Sequence, residues 1–154
     1  MATLKEGIKA PAFSGIDQNG ENFSLDQYKG KKVILYFYPK DNTPGCTAEA
    51  CNLRDNYSDL LNKGMDVIGV SPDSTESHRK FIEKYDLPFR LISDPEKKIL
   101  KLYDAWGEKK MYGKSYEGVL RKTFVINESQ NIEKIIEKVN TKDHSNQIFT
   151  ELKI

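Results

Sequence analysis

Two cysteines five residues apart, in a stretch crowded with proline, threonine and glycine, are the side chains of this sequence best suited to chemistry: Pro39-Lys40-Asp41-Asn42-Thr43-Pro44-Gly45-Cys46-Thr47-Ala48-Glu49-Ala50-Cys51. Thr43 suits a helix N-cap and Pro44 the first helical position, where a missing N–H leaves nothing unpaired. Cys46 then falls in the first helical turn. There its sulfur faces unpaired backbone N–H groups and the positive end of the helix dipole, and both favour a negatively charged sulfur. A thiolate so placed is a nucleophile. The alternative is a small buried apolar residue that happens to start a helix. Placement inside a Pro/Gly/Thr turn, straight after an apolar strand, weighs against that alternative.

Cys51 follows on the same predicted helix. In an intact helix, five residues amount to about 7.5 Å along the axis and about 140° around it, which sets the two α-carbons about 8.7 Å apart. A disulfide seldom spans more than about 7 Å. The two cysteines therefore bond only if the first turns unwind; otherwise Cys51 is a core residue on the buried face.

The elements that must position these residues read as an alternation. Phe13 to Asp17 and Glu21 to Leu25 flank Asn19-Gly20, a tight-turn signal, and predict an N-terminal hairpin. A short helical turn follows Ser24 and stops at Gly30. Val33 to Tyr38 is a continuous apolar run of the kind found in strands covered on both faces. Met65 to Ser71 and Phe89 to Ser93 repeat it. Between them, Leu53, Tyr57, Leu60 and Leu61 recur at helical spacing up to Gly64, and His78, Phe81, Ile82 and Tyr85 form a second stripe before Pro88. Ile99, Leu100 and Tyr103 predict a short third helix. Strand and helix in turn mean a mostly parallel α/β sheet, whose carboxyl edge is where sites form. Gly107-Glu108-Lys109-Lys110 reads as a solvated loop, and Val119 to Asn127 as a further strand. Ile132, Ile135, Ile136 and Val139 follow a helical period, although the short turn before them favours a hairpin strand. Thr141 is placed as the N-cap of a final helix carrying Ile148, Phe149 and Leu152.

The 154 residues fit one domain, 1–154, with a core large enough to need no disulfide or metal. With 24 basic and 23 acidic side chains the net charge is only +1, which argues against a nucleic-acid face or an anionic membrane surface. The N-terminal MATLKEGIKAPAF lacks an apolar h-region, and no apolar run approaches the roughly 20 residues of a membrane span. The expected compartment is the cytoplasm, where two cysteines are reactive or incidental rather than a permanent staple.

The stretch FYPKDNTPGCTAEAC, with Pro39-x-x-x-Thr43-x-x-Cys46 inside it, resembles the active-site pattern of the peroxiredoxins, specifically the bacterioferritin comigratory protein or peroxiredoxin Q subfamily. GVSPDS (69–74), AWGEKKMYGK (105–114) and GVLRKTFVIN (118–127) resemble the same subfamily in the same order, so the likeness runs from about Gly7 to Leu152. It implies a thioredoxin-like α/β fold of the peroxiredoxin type, with a central mixed sheet flanked by helices and an N-terminal hairpin. It also implies a strand rather than a helix at Ile132 to Val139.

By the same resemblance Cys46 is the peroxidatic cysteine, oxidised to a sulfenic acid by hydrogen peroxide or an organic hydroperoxide. Thr43 is the hydroxyl that bonds the sulfur and the peroxide oxygens. Pro39 shields the site from water, and Arg121 is the cation near the sulfur; without the likeness it would read as an ordinary strand-surface charge. Cys51 stands at the resolving position that some members carry, where it would close an intramolecular disulfide for thioredoxin to reduce. No cofactor or metal is called for. An intramolecular resolver needs no partner subunit, so a monomer is expected, with a weak dimer as the alternative. Glu49, one turn past Cys46, is a further candidate as partner of Arg121.

Rival classes fare worse. His78 and His144 lie far apart in sequence and match no zinc-ligand spacing with the cysteines, so both read as structural. A thioredoxin-type dithiol oxidoreductase needs a C-x-x-C pair, which Cys46 and Cys51 do not form. A non-enzymatic domain leaves Pro39, Thr43 and Cys46 unexplained. Nucleotide-binding and serine-hydrolase motifs are absent.

Overall fold

The computed structural model describes residues 4–154; the first three residues of the N-terminal stretch lie outside it. Nine strands and five α-helices follow in chain order among the described residues. They are β1 (Ser14–Asp17), β2 (Asn22–Ser24), β3 (Lys32–Phe37), α1 (Pro44–Asp55), α2 (Tyr57–Asn62), β4 (Met65–Ser71), α3 (Thr75–Tyr85), β5 (Arg90–Ser93), α4 (Lys98–Leu102), β6 (Trp106–Met111), β7 (Lys114–Val119), β8 (Lys122–Ile126), β9 (Ile132–Ile136) and α5 (His144–Leu152). A 3-10 turn spans Leu25–Tyr28.

The main sheet has seven strands in the order β2-β1-β5-β4-β3-β8-β9. Its centre is parallel, β3 beside β4 and β4 beside β5. The flanking pairs β3–β8, β8–β9, β1–β5 and β1–β2 are antiparallel, which makes the sheet mixed. The unbroken apolar run of β3 is explained by burial on both sides. Val33, Leu35 and Phe37 enter one core with Phe124, Leu100 and Tyr103, while Ile34, Tyr36 and Tyr38 enter the other with Ala50, Leu53, Phe81 and Ile148. The second core is built by α1, α2, α3 and α5, so the helix that carries both cysteines is clamped to the sheet face.

The hairpin at the start is present. Gly20 takes φ +77°, and the Asp17 carboxylate accepts the N–H groups of Asn19 and Glu21. Gly64, at φ +80°, closes α2 as expected. The helix before it is not continuous, however. The chain breaks at Asn56, whose side-chain amide donates to the Asn52 carbonyl at 2.9 Å and competes with the helical ladder. Leu60 is buried, whereas Leu61 is 47% exposed.

Three further expectations require correction. Gly107 to Lys110 form the middle of β6 rather than a loop; β6 pairs with β7 across Tyr112-Gly113, both at positive φ, the geometry of a two-residue hairpin turn. The expected strand from Val119 to Asn127 is two strands. Val119 ends β7, β8 begins at Lys122, and the turn at Leu120-Arg121 carries the chain from the outlying hairpin into the main sheet. The last helix is capped at Asp143 and not at Thr141, because Asn140 Oδ1 accepts the N–H groups of Lys142 and Asp143 and holds those residues in a turn. At Ile132–Ile136 the structure has a strand, as the resemblance implied.

Candidate active site

The carboxyl end of β3 passes through residues 38–43 into α1, and the site forms at that handover. Thr43 occupies the N-cap position, at φ −94° and ψ 157°, and its carbonyl accepts from Thr47 N at 2.8 Å. Pro44 is the first helical residue. The Thr43 hydroxyl does not cap the helix; it donates to the Lys40 carbonyl at 2.9 Å and tightens the loop instead. Pro39 is half-buried in the same loop. Cys46, in the first turn of α1, is 1% exposed.

Arg121 reaches this turn from the break between β7 and β8. Its Nη2 donates to Cys46 Sγ at 3.2 Å, and its Nη1 donates to Glu49 Oε1 at 2.7 Å. A planar fork thus joins sulfur and carboxylate with one fixed cation, and the sulfur is the acceptor. The guanidinium lies so close over α1 that a Cβ on Gly45 would sit 3.4 Å from Nη2. Arg121 is therefore not a strand-surface charge. Nor is Glu49 a helix-surface one: it is fully buried.

A second layer lies behind Glu49. His144 Nε2 is 2.8 Å from the Thr123 hydroxyl and 3.5 Å from Glu49 Oε2, and His144 Nδ1 is 2.9 Å from Gln147 Oε1. Burial pushes the Glu49 carboxyl up to about 7 against the opposing pull of Arg121. Burial likewise pushes His144 down to about 4. The imidazole is neutral near pH 7, so its contact with Glu49 is not an ion pair. His144 was expected to be merely structural; the fold places it one side chain away from the cation that faces the sulfur.

The loop is pinned from its other side. Asp41, 7% exposed, accepts from the Tyr38 hydroxyl, from Ser77 Oγ at 2.8 Å and faces His78 Nδ1 at 2.7 Å; His78 Nε2 meets the Ile92 carbonyl at 3.1 Å. Asp41 N–H donates to Asp73 Oδ2 at 2.8 Å, and that oxygen also accepts from Ser71 at 2.7 Å. Spacing gave no sign of this network. Its only trace in the sequence was a histidine on an apolar helical stripe, which must find a polar partner when buried.

Among the described residues Asp41, Asp73 and His78 are the group whose ligating atoms come within 4.8 Å of one another. All three side chains are already engaged in the hydrogen bonds just given, and neither cysteine belongs to the group. A cleft of about 390 Å³ flanks the loop between α3 and residues 41–42, but Cys46 does not line it. Cys51 is half-buried on α1, and both cysteines are free thiols on one intact helix.

The fold is that of the thioredoxin-like peroxiredoxins. The structure of the Xanthomonas campestris bacterioferritin comigratory protein, described for its alkyl peroxide reduction activity, superimposes with a TM-score of 0.88 at 30% identity, covering 97% of this chain and 98% of that one. A family model described as the AhpC/TSA family matches residues 7–135, and the chain belongs to that family as a peroxiredoxin of the bacterioferritin comigratory protein (peroxiredoxin Q) type. Peroxiredoxin Bcp of Bacillus subtilis is 46% identical over 151 residues, spanning 98% of this chain and 96% of its own. The peroxiredoxin bcp of Haemophilus influenzae is 44% identical over 153 residues, with 99% of each covered.

Proposed function

We propose that this peroxiredoxin reduces hydrogen peroxide and organic hydroperoxides with Cys46 as the peroxidatic and Cys51 as the resolving residue. The observation that carries the assignment is the 3.2 Å approach of Arg121 Nη2 to Cys46 Sγ, which sets a fixed cation at the sulfur of the first helical turn. In the first step the thiolate attacks the terminal peroxide oxygen and the O–O bond breaks. Cys46 becomes a sulfenic acid, and the departing alkoxide or hydroxide takes up a proton and leaves as alcohol or water. Arg121 stabilises negative charge passing from sulfur to oxygen, and the Thr43 hydroxyl, whose hydrogen is held by Lys40, keeps lone pairs with which to accept from a peroxide O–H. Pro39 limits access of water from the loop side.

In the second step the Cys51 thiol condenses with the sulfenic acid, releasing water and forming a disulfide. Since the α-carbons of an intact helix at this spacing are about 8.7 Å apart, the first turns of α1 unwind for it. A dithiol reductant of the thioredoxin type then restores both thiols by exchange. No helix among the described residues is long and apolar enough to cross a membrane; a cytoplasmic, monomeric, one-domain enzyme is the setting we propose.

Intact mass after one equivalent of hydrogen peroxide, with and without alkylation, tests the cycle. Loss of two protons and of both alkylation sites in the monomer supports it. A gain of one oxygen with Cys51 still alkylatable would assign resolution to an outside thiol. Peroxide turnover by Cys46→Ser would remove Cys46 from its role.

A further inference from the structure

Glu49 has only half of its hydrogen-bonding capacity met. Its side chain is fully buried; Oε1 accepts from Arg121, while Oε2 has no hydrogen-bond partner. A buried carboxylate oxygen without a donor is costly. What faces it is His144 Nε2, at 3.5 Å.

The state of that nitrogen is set from the far side of the ring. Gln147 Oε1 accepts from Asn140 N–H at 2.8 Å, and Gln147 Nε2 donates to the Lys138 carbonyl at 2.8 Å, so two backbone groups fix the orientation of the amide. His144 Nδ1, 2.9 Å from Gln147 Oε1, therefore carries a hydrogen. In the neutral ring Nε2 is then bare: its single lone pair lies 2.8 Å from the Thr123 hydroxyl and 3.5 Å from Glu49 Oε2, and it accepts from one of them at a time. A bare imidazole nitrogen and an unpartnered carboxyl oxygen confront each other out of solvent. Both are acceptors, and only a proton on one of them makes the contact favourable.

We propose that His144 is a positioning residue of the peroxidatic site: it shares one proton with Glu49 and so decides whether Arg121 faces a neutral acid or a carboxylate beside Cys46. The proposal deepens the peroxidase assignment and rests on it. The groups facing Glu49 are Cys46 on its own helix, Arg121 from the β7–β8 turn, His144 from α5, and the buried Tyr36 hydroxyl of β3, which also lacks a partner. Burial favours the proton on the carboxyl rather than on the imidazole. With the proton present, the charges of a Cys46 thiolate and Arg121 cancel. When it leaves, the carboxylate competes with the sulfur for the one guanidinium. Reactivity per thiolate is thus highest with the pair protonated and falls as pH rises through about 7.

The test is a pH titration of the reduced full-length protein, following the infrared C=O band of a protonated carboxyl, together with the second-order rate of Cys46 oxidation by hydrogen peroxide in the same buffers. The wild type is expected to show an acid band that titrates near neutral pH. Glu49→Gln, whose amide imitates the protonated acid, should lose both the band and the matching limb of the rate profile. His144→Gln can turn an amide N–H to Oε2 and should move the midpoint down by about one pH unit, in band and rate alike. No acid band near neutral pH in the wild type, or an unchanged midpoint in folded His144→Gln, would overturn the proposal; the first readout decides even if that variant does not fold. A band that titrates and shifts as expected, in a protein that consumes no peroxide, would uphold the shared proton and refute the peroxidase assignment.

Discussion

His78 Nδ1 lies 2.7 Å from Asp41 Oδ2, with both side chains out of solvent, and this contact ties the loop before α1 to α3. In the proposed cycle the loop is held for attack on peroxide and released for resolution, so the strength of this tie would set the balance between the two. Asp41→Ala would strand the buried Tyr38 hydroxyl and His78. Removing one member of such a buried network costs about 3 kcal/mol. At roughly 2–4 °C per kcal/mol for a domain of this size, the melting temperature should fall by about 6–12 °C. Disulfide formation after a single peroxide pulse should accelerate in the same variant, and stopped-flow fluorescence beside thermal denaturation measures both. An unchanged melting temperature would show that the network does not hold the loop.

Arg121→Lys keeps the charge and loses the fork that spans Cys46 and Glu49. A single ammonium cannot reach both acceptors in that geometry, so the second-order rate with peroxide should drop by about 10²-fold. Competition kinetics would detect the loss, and a rate within twofold of wild type would mean that charge alone suffices.

Oxidation should unwind the start of α1 and carry Glu49 with it, because that residue lies between the two cysteines. Hydrogen exchange on the disulfide form is expected to show lost protection over residues 46–51 and in the first turn of α5, with β3 and β4 unchanged. Retained protection at 46–51 in a protein proven to hold the disulfide would contradict the unwinding.

Stability against pH carries opposed contributions from the two buried groups. The Glu49 carboxyl is raised from 4.5 to about 7 in the fold, so the folded state holds a proton that the unfolded chain has lost, and its contribution falls as pH rises from about 4.5 to about 7. His144 is lowered from 6.5 to about 4, so the unfolded chain binds the extra proton, and its contribution rises with pH over about 4 to 6.5. The two slopes offset across their overlap and leave the wild type flat there. Glu49→Gln should expose the rising slope and His144→Asn the falling one, as read by urea denaturation between pH 4.5 and 7. Parallel curves for all three proteins would exclude the opposed contributions.

Much of the frame was legible before any coordinates. The apolar runs of β3, β4 and β5 had to be central strands, since each is buried on both faces. Asn19-Gly20 had to turn, and Gly64 had to end a helix. Where the sequence misled, a local contest decided the outcome: the Asn56 amide competes with its own backbone N–H for the Asn52 carbonyl, and Asn140 delayed the last helix to His144. β6 escaped notice because a solvent-exposed hairpin has no apolar alternation to betray it.

The sequence by itself singled out Cys46 as the proposed nucleophile. Thr43, Pro44 and Cys46 are neighbours in the chain, and the rules of a helix start put the sulfur among unpaired N–H groups without help from any other element. Spacing along the same helix also required that Cys51 be out of bonding reach while α1 is whole. Only the tertiary structure decided what surrounds that sulfur. Arg121 lies 75 residues further on, Asp41 meets His78 37 residues away, and His144 reaches Glu49 from the last helix. Such contacts depend on strand order and on which face each helix covers. No local periodicity encodes them, and a buried charge reveals its partner only once both are folded into the same core.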